Sequence, residues 1–508
     1  MKLKVTLLSA AGLAFPLLAA TNIVSFKDAA KLKTWDADDA RSAKWEEMRC
    51  ITREKLEKLD LGLEEVGRLK VRHSKDIKSS NWSIGCETMD RDYSDWDQYK
   101  RFVGMLGAKH GRLFSGWAKT EQEKGVYDFA WLDKQVREMA AMGVKPWICL
   151  SYGNPVWGSD FRLGMKVKQI TDNPEALKAY VRFCTECVKR YKDVVDEWEI
   201  WNEPFKQGEE YATLFYHAAK AIKEIQPDAR IIVTAIEFPN DYRLVLEKLK
   251  AENALGLGSL FIYHPYDENP DMSYEKYTEP LRALVKSYDP SYEVMQGESG
   301  CPAQVEWGHA LRYLEWTEYS QAKWNLRRTI GDAVRGIRSN IFTMIDLQYT
   351  FMLQSFGMLR SNTLKEVIYR RPVYFAMQNV FSTLDLTVTP ESVCTNAAAV
   401  RSFCAIGDDG AYNPTISTAY FSRAGKRLAF VWYSGEMPSN RLVFDRVAIR
   451  LNGTFVRPTL VEMISGRVFR IPSSSVKLED GKTTIADIPM WDSPLLIAEE
   501  GAIEMENL

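Results

Sequence analysis

From Trp82 to Leu384 the chain repeats one pattern eight times: a short run rich in apolar residues, then a longer stretch with apolar residues three or four positions apart. The first kind of run reads as a strand and the second as an amphipathic helix. The runs fall at 82–86, 112–114, 144–150, 194–201, 231–235, 260–263, 292–295 and 341–345. Helix boundary signals lie between them. Ser94 opens a helix that carries Trp96, Tyr99, Phe102, Val103 and Leu106 on one face, with Gly107 just past its end. Asp128 caps a second helix that Gly143 ends, and Asn173-Pro174 starts a third. Further helices are expected at 211–225, 241–249, 274–288 and 316–336, and a closing one from Pro372. A run as continuously apolar as 144–150 needs cover on both faces, which a parallel sheet provides. Eight strands, each followed by a helix, predict an α/β fold with a closed (β/α)8 TIM barrel over 81–384. An open doubly wound sheet would call for a glycine-rich phosphate loop after the first strand, and none is present. No cofactor motif is seen.

The flanks read differently. After about Asp385 the helical period gives way to short alternating stretches separated by turns such as Asn452-Gly453 and Asp480-Gly481. This predicts a C-terminal antiparallel β-sandwich over 385–508. Residues 21–80 are charged and read as an N-terminal extension, helical above all over 53–69. Lys2 and Lys4, the apolar run 5–18 and Ala19-Ala20 read as a signal peptide over 1–20. The expected location is therefore secreted or periplasmic, with no stable membrane insertion after cleavage. A net charge of -2 gives no general attraction for nucleic acid. The chain holds 15 Trp and 23 Tyr, which suits stacking on sugar rings and equally suits a large aromatic core. Cys184 and Cys187 have C-x-x-C spacing within a helix pattern and read as small buried hydrophobes. His73, His110, His217 and His309 lack metal-like spacing, so no metal site is expected. Nothing in the sequence sets an oligomeric state.

Active sites of such barrels lie at the C-terminal ends of the strands. Strand four ends in Trp201-Asn202-Glu203-Pro204, and strand seven in Gln296-Gly297-Glu298-Ser299-Gly300. Two carboxylates thus face each other across one mouth. Glycosidic bond cleavage needs such a pair, one protonated and one ionised.

Asn202-Glu203-Pro204 with Glu298 three βα units later resembles the signature of the clan A glycoside hydrolases, among them families 39, 42 and 5. The resemblance spans 82–384. It implies that Glu203 is the acid/base, that Asn202 bonds the sugar 2-hydroxyl, and that Glu298 is the nucleophile. It also implies that Arg112 keeps the nucleophile ionised, that Tyr266 donates to it, and that His264 faces the sugar. Trp117-Ala118-Lys119-Thr120-Glu121, Gly125-Val126-Tyr127-Asp128-Phe129 and Arg371-Pro372-Val373-Tyr374-Phe375-Ala376 are similar to segments of families 39 and 42. Asn154, after strand three, is a candidate hydroxyl ligand. Many clan members place a Trp sugar platform at the end of strand eight, where this chain has Asp346-Leu347-Gln348-Tyr349. Tyr349, Trp117, Trp157 or Trp307 could serve instead.

The function expected on this basis is hydrolysis of β-O-glycosidic bonds with retention, through a covalent glycosyl-enzyme. The partner would be an oligosaccharide or polysaccharide. The long loops after strands six, seven and eight favour exo-action, as a β-galactosidase or β-xylosidase. An endo-acting polysaccharide hydrolase and a non-catalytic carbohydrate-binding barrel are the alternatives.

Overall fold

A computed structural model describes residues 51–160, 166–395, 399–403 and 415–507. The expected signal peptide, 1–20, and residues 21–50 of the expected extension lie outside the described residues.

Eight parallel strands close into a barrel: Trp82–Gly85, His110–Phe114, Lys145–Leu150, Glu197–Ile200, Arg230–Val233, Leu260–Tyr263, Glu293–Ser299 and Ser339–Ile341. Each pairs with the next, and strand eight closes on strand one through Trp82↔Ser339, Ser83↔Asn340 and Ile84↔Ile341. Most of these residues are buried, since the barrel interior covers one face and the helix ring the other. The helices sit where the amphipathic stretches are. Pro174–Tyr191 begins at Asn173, whose side chain accepts from the Glu175 and Ala176 N–H groups. Its buried stripe includes Tyr180, Phe183, Cys184, Cys187 and Val188. The helix expected to open at Ser94 is capped by Asp95, one residue on, which accepts from Asp97 N. Strand eight ends at Ile341, short of the expected 345. Phe342 N and Met344 N still bond to Ser299 O of strand seven and Gly85 O of strand one, and the chain then folds into two small hairpins, pairing Leu347–Gln348 with Leu353–Gln354 and Leu359–Ser361 with Val367–Arg370.

The C-terminal region adds two antiparallel sheets of eight and four strands. Val431, Leu460, Phe469 and Leu495 of the larger sheet share one apolar cluster with Val447, Ile449, Ile485 and Ile488 of the smaller. One expectation is corrected here. Of 53–69, only Arg53–Glu57 is helical; Glu64–Leu69 is a strand between Arg467–Arg470 and Met505–Asn507. Glu, Lys, Leu and Arg have high helix propensity, but Gly62 stands at φ +64°, which stops a helix. Arg467 then pairs with Glu65 at 2.7 Å and Arg470 with Glu64 at 3.3 Å, fixing the strand. The barrel is tied to this region by Lys323 on the Glu318–Val334 helix. Its ammonium pairs with Asp492 at 2.6 Å and donates to the carbonyls of Ser439 and Arg441. Among the described residues no helix is long and apolar enough to cross a membrane.

Candidate active site

Arg112 on strand two organises the carboxylates at the barrel mouth. Its guanidinium is fully buried, and each of its five N–H donors has an acceptor. Nε and Nη2 fork onto Glu199 of strand four at 2.9 and 2.8 Å. Nη2 also donates to Asn202 Oδ1 at 2.8 Å. Nη1 donates to Glu298 Oε2 at 2.6 Å and to Glu87 Oε1 at 3.3 Å. One cation therefore serves three buried carboxyls.

Glu298 ends strand seven. Tyr266 donates to its Oε1 at 2.6 Å, opposite the Arg112 contact on Oε2. Burial alone would raise its pKa. The charges of His264 and Arg112 and the hydrogen bonds from Tyr266 and Arg112 outweigh it and hold the carboxyl below its usual value. His264 Nδ1 lies 2.7 Å from Glu203 Oε1 and 4.0 Å from Glu298 Oε2. Burial works against a charged imidazole there, but Glu298 and Glu203 prevail and raise it. Glu87 is pushed up to about 7, chiefly by burial and further by Glu298, with Arg112 opposing. Glu203, His264 and Glu298 offer ligand atoms within 4.8 Å of one another, the set among the described residues that a cation could bridge. The closest of these contacts, His264 to Glu203, already has the length of a charge-assisted hydrogen bond.

The backbone at strand four is strained where the chemistry would lie. Trp201 stands at φ +67° and Glu203 at φ +51°, left-handed conformations that cost non-glycine residues on the order of 1–3 kcal/mol each. Strand seven needs Gly297, because a Cβ there would stand 2.4 Å from Ile262 Cδ1 on strand six.

A cavity of about 330 Å³ opens over these groups. Asn202, Glu203, Tyr266, Glu298 and Tyr349, all singled out in the sequence, line it. Arg112 lies directly behind Glu298 and Asn202, and His264 backs Glu203. Four other candidates are elsewhere. Asn154 caps a short turn: its Oδ1 accepts from Val156 N and its Nδ2 donates to Glu121 O, so its polar atoms are engaged within the loop. Trp117 is a core residue stacked on Phe183, with its indole N–H on Glu121. Trp157 also donates to Glu121 and carries Lys124 over its ring. Trp307 is 57% exposed and packs on Phe351, which stacks on the lining residue His309. The sequence reading missed Glu87, Tyr152, His309, Phe342 and Gln354, which also line the cavity. Glu87 had a signal, a charge within three residues of the end of a buried strand, as at Glu203 and Glu298. Phe342 follows strand eight, and its ring packs edge-on against Tyr266 with centroids 6.4 Å apart.

The fold has solved relatives. A family 39 glycoside hydrolase from Bacteroides cellulosilyticus WH2 superposes with TM-score 0.58 at 16% identity, covering 83% of this chain and 81% of that one. It has the fold of a family 39 glycoside hydrolase. A monomeric β-xylosidase from Caulobacter crescentus CB15 gives TM-score 0.52 at 16% identity, covering 86% and 97%. The family 39 enzyme from Xanthomonas axonopodis pv. citri gives 0.53 at 13%, covering 85% and 95%. In sequence, a β-xylosidase from Caldicellulosiruptor saccharolyticus is 29% identical over 160 residues, 27% of this chain. The match spans 33% of that relative's length. No protein-family model matches the chain.

Proposed function

We propose that the chain is a retaining β-glycosidase that removes a terminal sugar, with Glu298 as nucleophile and Glu203 as acid/base. One observation carries the reading: an oxygen of Glu203 and an oxygen of Glu298 lie within 4.8 Å across the cavity. Retention needs carboxyls about 5–5.5 Å apart, whereas inversion needs about 6.5–9.5 Å to admit a water.

The chemistry takes two steps. Ionised Glu298 attacks the anomeric carbon while the glycosidic C–O bond breaks and Glu203 gives its proton to the departing oxygen. A water then gives a proton to Glu203, and its oxygen displaces Glu298 from the anomeric carbon. Arg112 and Tyr266 stabilise the Glu298 carboxylate at the start and receive it back at the end. Asn202, held by Arg112 and by Tyr152 OH at 2.8 Å, is set at the cavity wall to meet a sugar hydroxyl. His309 and Tyr349, from the segments after strands seven and eight, wall the cavity and favour exo-action. The β-xylosidases among the relatives make a β-xyloside the first glycone to test, and a β-galactoside the second. The leader at 1–20 would place the enzyme outside the cytoplasm, which sequencing the N-terminus of the exported protein tests.

The test is a panel of aryl β-glycosides with Glu298→Ala alongside. Cleavage by the wild type, loss in the variant, and rescue by azide with an α-glycosyl azide as product are expected. Cleavage only of long polysaccharides would replace exo- by endo-action. Oligosaccharide binding with no cleavage would leave a binding barrel.

A further inference from the structure

A second cavity, of about 460 Å³, is built by the segments that follow strands four, five and six. Tyr266 lines both cavities. His264, whose Nδ1 engages Glu203, lines the second. Phe205, also in its wall, is two residues beyond Glu203.

We propose that this cavity binds an aromatic, non-sugar aglycone, so that the substrate is the β-glycoside of an aromatic alcohol or phenol. The inference rests on the glycosidase reading above and specifies the leaving group.

Position and chemistry both support it. Glu203 protonates the leaving oxygen, so the leaving group must extend from the Glu203 side, and this cavity is walled by His264, the partner of Glu203, and by Phe205, two residues beyond it. Its walls are Phe205, Ile236, Phe238, Tyr263, Tyr277 and Leu281. The tyrosine hydroxyls nearest the barrel are already engaged. Tyr263 OH accepts from Thr278 and Arg328, Tyr242 OH donates to the Ile262 carbonyl, and Tyr266 OH donates to Glu298. His264 Nε2 has no partner among the described residues and could serve one hydroxyl, but a sugar ring carries several and would leave the others unpaired, at about 1–3 kcal/mol each. An aromatic ring has no such cost and gains contact with the aromatic faces. The first cavity is the opposite in character, lined by Glu87, Arg91, Asn202, Glu203, Glu298 and Gln354. Charges enter the second with Lys206 and Glu237, both exposed, and with His264 on the side that meets Glu203. A substrate with a polar glycone and an apolar aglycone matches the two cavities.

The test compares 2-phenylethyl β-D-xyloside with β-1,4-xylobiose, two alcohol leaving groups on one glycone. The galactose pair replaces them if the panel selects galactose. The phenylethyl glycoside should have the higher kcat/KM by about tenfold or more, the scale expected for burying a ring. The preference should shrink toward parity in Phe205→Ala and Tyr277→Ala. Both side chains are partly exposed, and circular dichroism checks that the variants fold. Free 2-phenylethanol, followed by calorimetry, should bind the wild type and bind the variants more weakly. Equal or better use of xylobiose, or a ratio that neither variant moves, overturns the proposal. If no glycoside is turned over, the hydrolase reading fails, and 2-phenylethanol still decides the cavity. Binding weakened by the variants upholds an aromatic site; no binding overturns it.

Discussion

His264 Nδ1 sits 2.7 Å from the Glu203 carboxylate and 4.0 Å from that of Glu298, so one imidazole faces both groups proposed for the chemistry. Burial disfavours its charge, but the two carboxylates hold it above its usual value. Below that raised value the His264–Glu203 pair keeps a proton for the leaving group; above it the pair loses that proton. The alkaline limb of kcat/KM should follow this loss. In His264→Gln the imidazole that shares this proton with Glu203 is gone, and the limb should move to lower pH. A pH profile on one aryl glycoside checks this, and an unmoved limb would detach His264 from the proton.

Glu203→Ala should slow glycosides of poorly acidic alcohols by roughly 10²–10⁴-fold, the range for general acid–base catalysis. A dinitrophenyl glycoside needs no proton to leave, so its first step should suffer far less. Azide should restore turnover in this variant with a β-glycosyl azide, opposite in configuration to the product from Glu298→Ala. Product analysis by NMR distinguishes the two. The same anomer from both variants would contradict the assigned roles.

The barrel was legible because its strands are buried on both faces, so short runs rich in apolar residues alternate eight times with amphipathic stretches. Glu203 and Glu298 were legible because each stands within three residues of the end of such a run. Glu64–Leu69 was not, because an edge-side strand rich in Glu and Arg carries the composition of a helix, and its partners lie about 400 residues away. The aromatic platform was not legible either. Trp117 and Trp157 share one partner, Glu121, which holds their indole N–H groups, and the contact to Trp157 spans 36 residues and leaves no local pattern. His309 and Gln354 come from long irregular segments, where side-chain direction has no period to read.

Arg112→Met should destabilise the fold strongly, because it strips the cation from three buried carboxyls at once. Breaking one buried pair costs about 3–5 kcal/mol, which sets the expected scale. Arg112→Lys keeps the charge but loses the fork onto Glu199, and should fall between the two. In either variant Glu298 loses part of what holds its pKa down, so the acidic limb of kcat/KM should move to higher pH. Denaturant unfolding and the pH profile read the two effects separately.

Glu87 is the outermost of the three carboxyls on Arg112, at 3.3 Å against 2.6 Å for Glu298 and 2.8 Å for Glu199. Burial, with Glu298 adding to it, pushes its pKa from 4.5 to about 7. A carboxyl that binds its proton more tightly in the folded chain adds stability that is fully present below its unfolded value. That contribution is lost as pH rises through about 7. Glu87→Gln keeps the shape and removes the proton equilibrium. Relative to wild type, the variant should therefore gain stability between pH 4.5 and about 7, by up to about 3 kcal/mol. Unfolding by denaturant near pH 5 and near pH 8 measures that change. The same gap at both values would mean that Glu87 is ionised throughout, sharing Arg112 with Glu298 as a third full charge.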